Sequence, residues 1–376
     1  MPEKSKTSVT SNRRSFLKKG AAVGVAGAGL GLLPTSHLYA QLADNESSQP
    51  LAKGDADLLR FAAAAEILES DFWLQYNELG GIQDNIVHGG SGNPQYTQAL
   101  SNLDDDFPQY IHDNTADEIT HAHFLNSYLE SKGAKPVNLE QFRTLQGSKA
   151  TGSSASLRLT NLMQLTIDSS WYTRYRDDNH NPDLDPNFVF PQAVPDLHKG
   201  QFTAIPRTDD DLSPTDHLQA IANTAAFHMP TIEQGGNSLY PSLAQRASSV
   251  EVLRILISIG PAETMHFQTW SDIAADVVSP PFAPLTDPTN GLTFPDLDDL
   301  DLTSVQPNRI MPQPCPFINR KLPRCSIIRP TMTQGVAMSV VTFLTKMGLF
   351  VGQSQKFFAV LTSLAEAADS AQRQCS

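Results

Sequence analysis

Two short segments of this chain could hold metal ions. Glu118-Ile119-Thr120-His121 and Glu263-Thr264-Met265-His266 each place a carboxylate three residues before an imidazole. On an α-helix, positions i and i+3 share a face, so both side chains can reach one cation. With twelve Glu and ten His in 376 residues, random placement gives only about 0.3 such pairs per chain, so two of them in helical stretches is a signal. The competing reading is a pair of surface hydrogen bonds. The apolar neighbours Ile119, Phe124, Met265 and Phe267 argue for burial instead.

Two further glutamates stand in helical stretches. Glu66 follows the apolar run Phe61–Ala65, with Trp73 seven residues later, and Glu233 has Tyr240 seven residues later. Seven residues are two turns, which sets each aromatic near the face of its glutamate. Glu69 lies one turn beyond Glu66, so Glu69, Trp73 and Tyr240 are expected beside the ligands, and Glu69 is a rival ligand. The order Glu66, Glu118/His121, Glu233, Glu263/His266 reads as two halves of one plan. Four carboxylates buried together are costly unless cations neutralise them. Two divalent ions would do so, with Glu118 and Glu263 as the expected bridges. A mixed oxygen and imidazole set suits iron, manganese or zinc; it suits neither copper(I) nor calcium. His123 points to another face, and His228 is open between a core role and a supporting one.

The elements that must position these residues are helices. Apolar spacing predicts a helix over 55–79, stopped at Gly80-Gly81, and a short one near 96–103. A second long helix is expected over 107–131, and an amphipathic one over 155–175. A third long helix starts at Pro214-Thr215-Asp216 and passes Pro230 towards Tyr240. A fourth runs over 242–278 and breaks at Gly260-Pro261. A split helical region covers 331–371. Strand-like alternation is nearly absent, so the class is all-α.

This residue pattern resembles the ferritin-like di-iron and di-manganese carboxylate bundles, whose ligand rule is a Glu from each of two helices and Glu-x-x-His from each of the other two. More narrowly, Phe61–Tyr76, Asp117–Leu125 and Ile232–Leu243 resemble the exported ferritin-like family that includes desiccation-related proteins. The resemblance covers roughly 55–140 and 214–278. It implies a four-helix bundle over 55–278 with a long insertion at about 134–214, and a pair of iron or manganese ions held by Glu66, Glu118, His121, Glu233, Glu263 and His266. Gly260-Pro261 and Pro230 depart from a regular bundle and are expected to re-aim the ligands by kinking their helices.

The first forty residues read as a targeting segment. Ser11-Asn12-Arg13-Arg14-Ser15-Phe16-Leu17-Lys18 precedes a Gly- and Ala-rich stretch from Gly20 to Leu33, then Pro34 and Ala40. This resembles a bacterial twin-arginine signal apart from Asn12. It implies the twin-arginine translocase as a partner and a periplasmic or extracellular address. The segment carries +5, six basic residues against Glu3, of a total of −13; the remainder carries −18. That charge excludes a nucleic-acid binder. No apolar run reaches the 18 or more residues of an ordinary spanning helix. Residues 41–54 are polar linker and 279–330 a Pro-rich connection. Residues 331–376 should form a helical hairpin that packs on the bundle or mediates a homo-dimer. An oxidising compartment would pair Cys315 with Cys325 across a Pro-flanked loop and leave Cys375 as a tail thiol. No Gly-x-Ser-x-Gly, phosphate-cradling or dinucleotide motif is present. The Asp-rich stretch 177–185 lacks the Gly and terminal Glu of a calcium loop.

The expected function is redox chemistry at a dinuclear centre: oxidation of ferrous iron, or turnover of peroxide or oxygen. The alternative is a non-catalytic envelope or desiccation-stress protein whose metal is structural or absent.

Overall fold

The computed structural model describes residues 50–177, 180, 187–297, 312–313, 321, 325–326 and 334–374. Eight α-helices lie within them: α1 Lys53–Gly80, α2 Pro94–Ser101, α3 Phe107–Ser131, α4 Ser170–Arg174, α5 Thr215–Ala244, α6 Val250–Val277, α7 Val336–Met347 and α8 Gln355–Ser370. Among the described residues, strands occur only as two-residue antiparallel ladders. The chain is all-α.

Four long helices, α1, α3, α5 and α6, form the core bundle. Cross-contacts fix their directions. Glu66 meets His121 while the Trp73 carbonyl accepts from Thr115, so α1 and α3 are antiparallel. Tyr128 and Lys132 meet Glu251 while Trp270 meets Asn114, so α3 and α6 are antiparallel. Trp73 meets Glu233 and Tyr240 meets Glu66, which makes α1 and α5 antiparallel too. It follows that α3 and α5 point the same way. The chain must therefore travel the full length of the bundle between them, and residues 132–214 are that return crossover.

The crossover corrects one sequence expectation. An amphipathic helix is expected over 155–175, but only Ser170–Arg174 is helical. The backbone donors of this stretch are taken by distant acceptors. The Asp71 carboxylate accepts from the N–H groups of Leu159 and Thr160. The N–H groups of Leu165, Thr166 and Ile167 go to the carbonyls of Phe202, Met347 and Leu197. Tertiary partners thus replaced the i→i−4 ladder. The segment is also richer in core than its polarity suggested: Leu159, Leu162, Leu165, Ile167, Trp171, Val194 and Leu197 are all buried in the common core.

A second correction concerns α6. It begins at Val250, not at 242, because α5 continues to Ala244. The break at 245–249 is built: Ser249 caps α6 by accepting the Val252 N–H, and Asp55 at the start of α1 accepts the N–H groups of Ser248 and Ser249. Gly260-Pro261 does not interrupt α6, and Pro230 does not interrupt α5. Pro261 sits on the exposed face, as does Ile257, whose carbonyl it leaves without an N–H donor. Gly260 serves close approach: a Cβ there would lie 2.9 Å from the Cβ of Tyr240.

The C-terminal hairpin docks on the bundle, α8 along α1 and α7 against α5. Gly348 turns between them in the left-handed region, φ 93°. Asp369 ties the hairpin shut by accepting the N–H groups of Ala337 and Met338 at the start of α7. Arg246 at the end of α5 reaches the same carboxylate at 3.2 Å. Gln353 in the turn donates to the carbonyls of Phe142 and Leu159 in the crossover. The targeting segment, most of the linker, Cys315, Cys375 and Asp183–Asp185 lie outside the described residues, and with them the expected Cys315–Cys325 bridge. No helix among the described residues is long and apolar enough to cross a membrane.

Candidate metal centre

Each of the four bundle helices sends its glutamate inward at one level. Glu66 on α1, Glu118 on α3, Glu233 on α5 and Glu263 on α6 are all 0% exposed. His121 and His266 join them from one turn further along α3 and α6. The ligand atoms form two overlapping groups, each within 4.8 Å: Glu66, Glu118, His121 and Glu263; and Glu118, Glu233, Glu263 and His266. Glu118 and Glu263 belong to both. All six residues picked out by the sequence are thus brought together.

Both imidazoles face inward through Nδ1. His121 Nδ1 stands 3.2 Å from Glu118 Oε2, 3.4 Å from Glu66 Oε2 and 3.5 Å from Glu263 Oε1. His266 Nδ1 stands 3.1 Å from Glu118 Oε1 and 3.4 Å from Glu233 Oε2. The outer nitrogen of His266, Nε2, meets Asp117 Oδ2 at 3.1 Å. A carboxylate on the outer nitrogen holds a ligating imidazole in the right tautomer.

Aromatic and amide groups hold the carboxylates from behind. Trp73 Nε1 donates to Glu233 Oε1 at 3.1 Å. Tyr240 donates its hydroxyl to Glu66 Oε1. Asn114 Nδ2 donates to Glu118 Oε1 at 2.8 Å and to Glu233 Oε1 at 3.2 Å. Trp270 Nε1 in turn donates to Asn114 Oδ1 at 2.7 Å. Sequence reasoning found Trp73 and Tyr240 but missed Asn114, Asp117 and Trp270. Asn114 is one turn before Glu118 and Trp270 one turn after His266, so helical spacing was the available signal, but neither is a usual ligand type. Glu69 is 8% exposed and belongs to neither group. It lines a cavity of about 50 Å³ with Phe72, Gly236, Tyr240 and, from α7, Val340 and Phe343.

The electrostatics call for positive charge. Burial, then the charge of Glu118, pushes Glu66 up to about 8. Burial also raises Glu233, and raises Glu69 and Glu263 well above the ordinary range. Burial would raise Glu118 as well, but hydrogen bonds from His121 and His266 hold it at about 2. Burial works against protonated imidazoles, yet the glutamates outweigh it, lifting His121 to about 10 and His266 higher still. Protons are doing here what cations would do better. Five carboxylate oxygens, Glu66 Oε2, Glu69 Oε1, Glu233 Oε2 and both of Glu263, are buried without a hydrogen-bond partner. Such oxygens cost stability unless something else neutralises them. Four carboxylates and two imidazoles with Nδ1 turned inward fit a pair of divalent ions.

Phe124 and Met265, expected on a buried face, are instead 50% and 71% exposed. Met265 stands two residues past Glu263, about 200° around the helix, and Phe124 six past Glu118, about 240° around, so neither shares its glutamate's face; what buries the glutamates is the facing helices. His123 is exposed. His228 is a core residue: its Nδ1 lies 2.7 Å from the Tyr76 hydroxyl, and burial pushes it down to about 3.

The comparisons agree with the geometry. A family model described as the ferritin-like domain matches residues 54–275, the whole bundle with its crossover. No curated protein and no solved structure matches the chain significantly.

Proposed function

The chain belongs to the ferritin-like domain family, and from that premise we propose that it holds two redox-active divalent ions, iron or manganese, and turns over peroxide or oxygen at them. The observation that carries this reading is the sharing of Glu118 and Glu263 between two ligand groups, with neither Glu263 oxygen forming a hydrogen bond and only the His121 imidazole near Oε1, at 3.5 Å. One ion would be held by Glu66, Glu118, His121 and Glu263, the other by Glu118, Glu233, Glu263 and His266. When bound, such a pair supplies one-electron redox steps and polarises a coordinated oxygen.

The protein's own groups have separate tasks. Asn114 and Trp73 fix the Glu118 and Glu233 carboxylates by donating to them, and Asp117 orients His266. Tyr240 steadies Glu66 Oε1 with its hydroxyl hydrogen bond, and burial together with the nearby glutamate charges keeps that hydroxyl protonated. Burial of all four glutamates keeps water from competing for the ligand oxygens. The N-terminal segment fits the same reading: twin-arginine export moves a folded chain, so the metal can be loaded before the protein reaches the periplasm or the outside. That address, and the likeness to desiccation-related proteins, make stress protection the proposed setting. Oxidation of ferrous iron uses the same ligands and is the second substrate to try.

The test is metal content and the optical spectrum of purified mature protein. Two iron or manganese ions per chain, with a near-ultraviolet band that bleaches on reduction, support the proposal. Redox-silent zinc, or no metal, would favour a structural or vestigial site instead.

A further inference from the structure

Two of the three tryptophans of this chain are stacked against each other, one donating to a carboxylate of the cluster and the other to the amide that holds it. Trp73 and Trp270 are 0% and 1% exposed. Their ring centroids lie 5.3 Å apart at an interplanar angle of 25°. Trp73 Nε1–H reaches Glu233 directly, and Trp270 Nε1–H reaches it through Asn114. On the far side, Trp270 meets Tyr110 edge-on, centroids 6.3 Å apart at 88°. Tyr110 is only half-buried and brings the series to the surface of α3. Packing alone explains buried indoles. It does not explain an unbroken series of oxidisable rings that starts on a ligand and ends at the surface.

We propose that Trp73, Trp270 and Tyr110 form a one-electron conduit between the metal centre and a soluble one-electron reductant at the Tyr110 surface. The proposal rests on the peroxide reading above. Reduction of one hydrogen peroxide to two waters takes two electrons and two protons, and the conduit delivers the electrons singly. Trp73 gives an electron to the oxidised centre, Trp270 refills Trp73, and Tyr110 refills Trp270 while its phenolic proton leaves to water. The reductant then returns an electron to Tyr110, which regains a proton. The two indoles differ in a useful way. Trp73 donates to a carboxylate, which can hold its proton while Trp73 is oxidised and returns it on refilling; Trp270 donates to an amide oxygen, which cannot take a proton, so oxidised Trp270 stays a cation radical that readily takes an electron from Tyr110. Trp270 is therefore a transient station and not a trap. Its stacking on Trp73 keeps the step short, and tunnelling falls steeply with distance.

The test uses the metal-loaded full mature chain, hydrogen peroxide as oxidant and ascorbate as reductant. Freeze-quenched electron paramagnetic resonance should show a tyrosyl radical in the wild type and a tryptophanyl radical in Tyr110→Phe. Trp270→Phe should show no tyrosyl radical at equal metal content. Ascorbate-dependent peroxide turnover should fall about tenfold or more in both variants, the loss expected for one added barrier of that size. The hydrogen bonds that Trp73, Asn114, Trp270 and Tyr240 make at the cluster do not use Tyr110, so a purely structural role for the rings predicts unchanged metal content and turnover in Tyr110→Phe. Peptide mapping should find oxygen added at Tyr110 or Trp270 when ascorbate is withheld. An optical response of the centre to peroxide without any aromatic radical, or with ascorbate turnover unchanged in both variants, overturns the conduit alone. Failure to bind metal, or an absent response to peroxide, overturns the proposed function and the conduit with it.

Discussion

Gly236 on α5 lies so close to Glu263 on α6 that a Cβ at Gly236 would stand 2.4 Å from Glu263 Oε2. The glycine is thus part of the site: it makes room for one of the two carboxylates shared by both ligand groups. In a helix interior, glycine otherwise costs about 1 kcal/mol relative to alanine. Gly236→Ala should leave the metal-free protein as stable as before or slightly more so, while lowering metal affinity about tenfold or more. Calorimetric titration with manganese beside a thermal melt checks both halves. Unchanged affinity would show that Glu263 can move aside without loss.

The metal-free protein should lose stability as pH rises. Glu66 sits at about 8 in the fold against an ordinary 4.5, so its proton stabilises the native state below 4.5 and that help fades as pH climbs through 8. His121, at about 10 against 6.5, behaves alike: its contribution is complete below 6.5 and gone above 10. Glu118 has the opposite sign. Its depressed value, about 2, stabilises above 4.5 and fails as pH falls toward 2. Melting temperature should therefore decline between pH 6.5 and 10 without metal, and decline much less with metal, which replaces those protons. A metal-free melting temperature that rises over that range contradicts the cluster's electrostatics.

Asp71 anchors the crossover to α1. Its carboxylate accepts from the N–H groups of Leu159 and Thr160, from the Thr160 hydroxyl and from Arg143. Asp71→Ala would strand these donors and should cost about 3 kcal/mol. Urea denaturation measures it. A loss below about 1 kcal/mol, the size of one ordinary net hydrogen bond, would mean the crossover is held elsewhere.

Export is testable without the fold. Arg13→Lys with Arg14→Lys should trap the precursor in the cytoplasm, since a translocase that reads paired guanidinium groups does not accept ammonium in their place. Normal appearance of that double variant outside the cytoplasm would remove the twin-arginine assignment.

Much of the bundle was legible because its helices are long and their apolar residues recur at helical spacing; α3 runs over the expected 107–131. The ligand set was legible because i, i+3 spacing is a property of the helix itself. The crossover was not, because Leu159 and Thr160 give their N–H groups to Asp71, 88 and 89 residues away, and no local pattern announces such a partner. The boundary at Ser249 was hidden for a related reason: Asp55, far off in sequence, accepts the turn's donors. Asn114 and Trp270 act on the ligands without being ligands, and a search by ligand type could not reach them.

The most direct measurement is anomalous diffraction from crystals of the mature chain grown with iron or manganese. Two peaks are expected, one among Glu66, Glu118, His121 and Glu263 and one among Glu118, Glu233, Glu263 and His266, with Glu118 and Glu263 between them. A bundle without metal at these residues, or with His121 and His266 turned out of the core, would contradict that expectation.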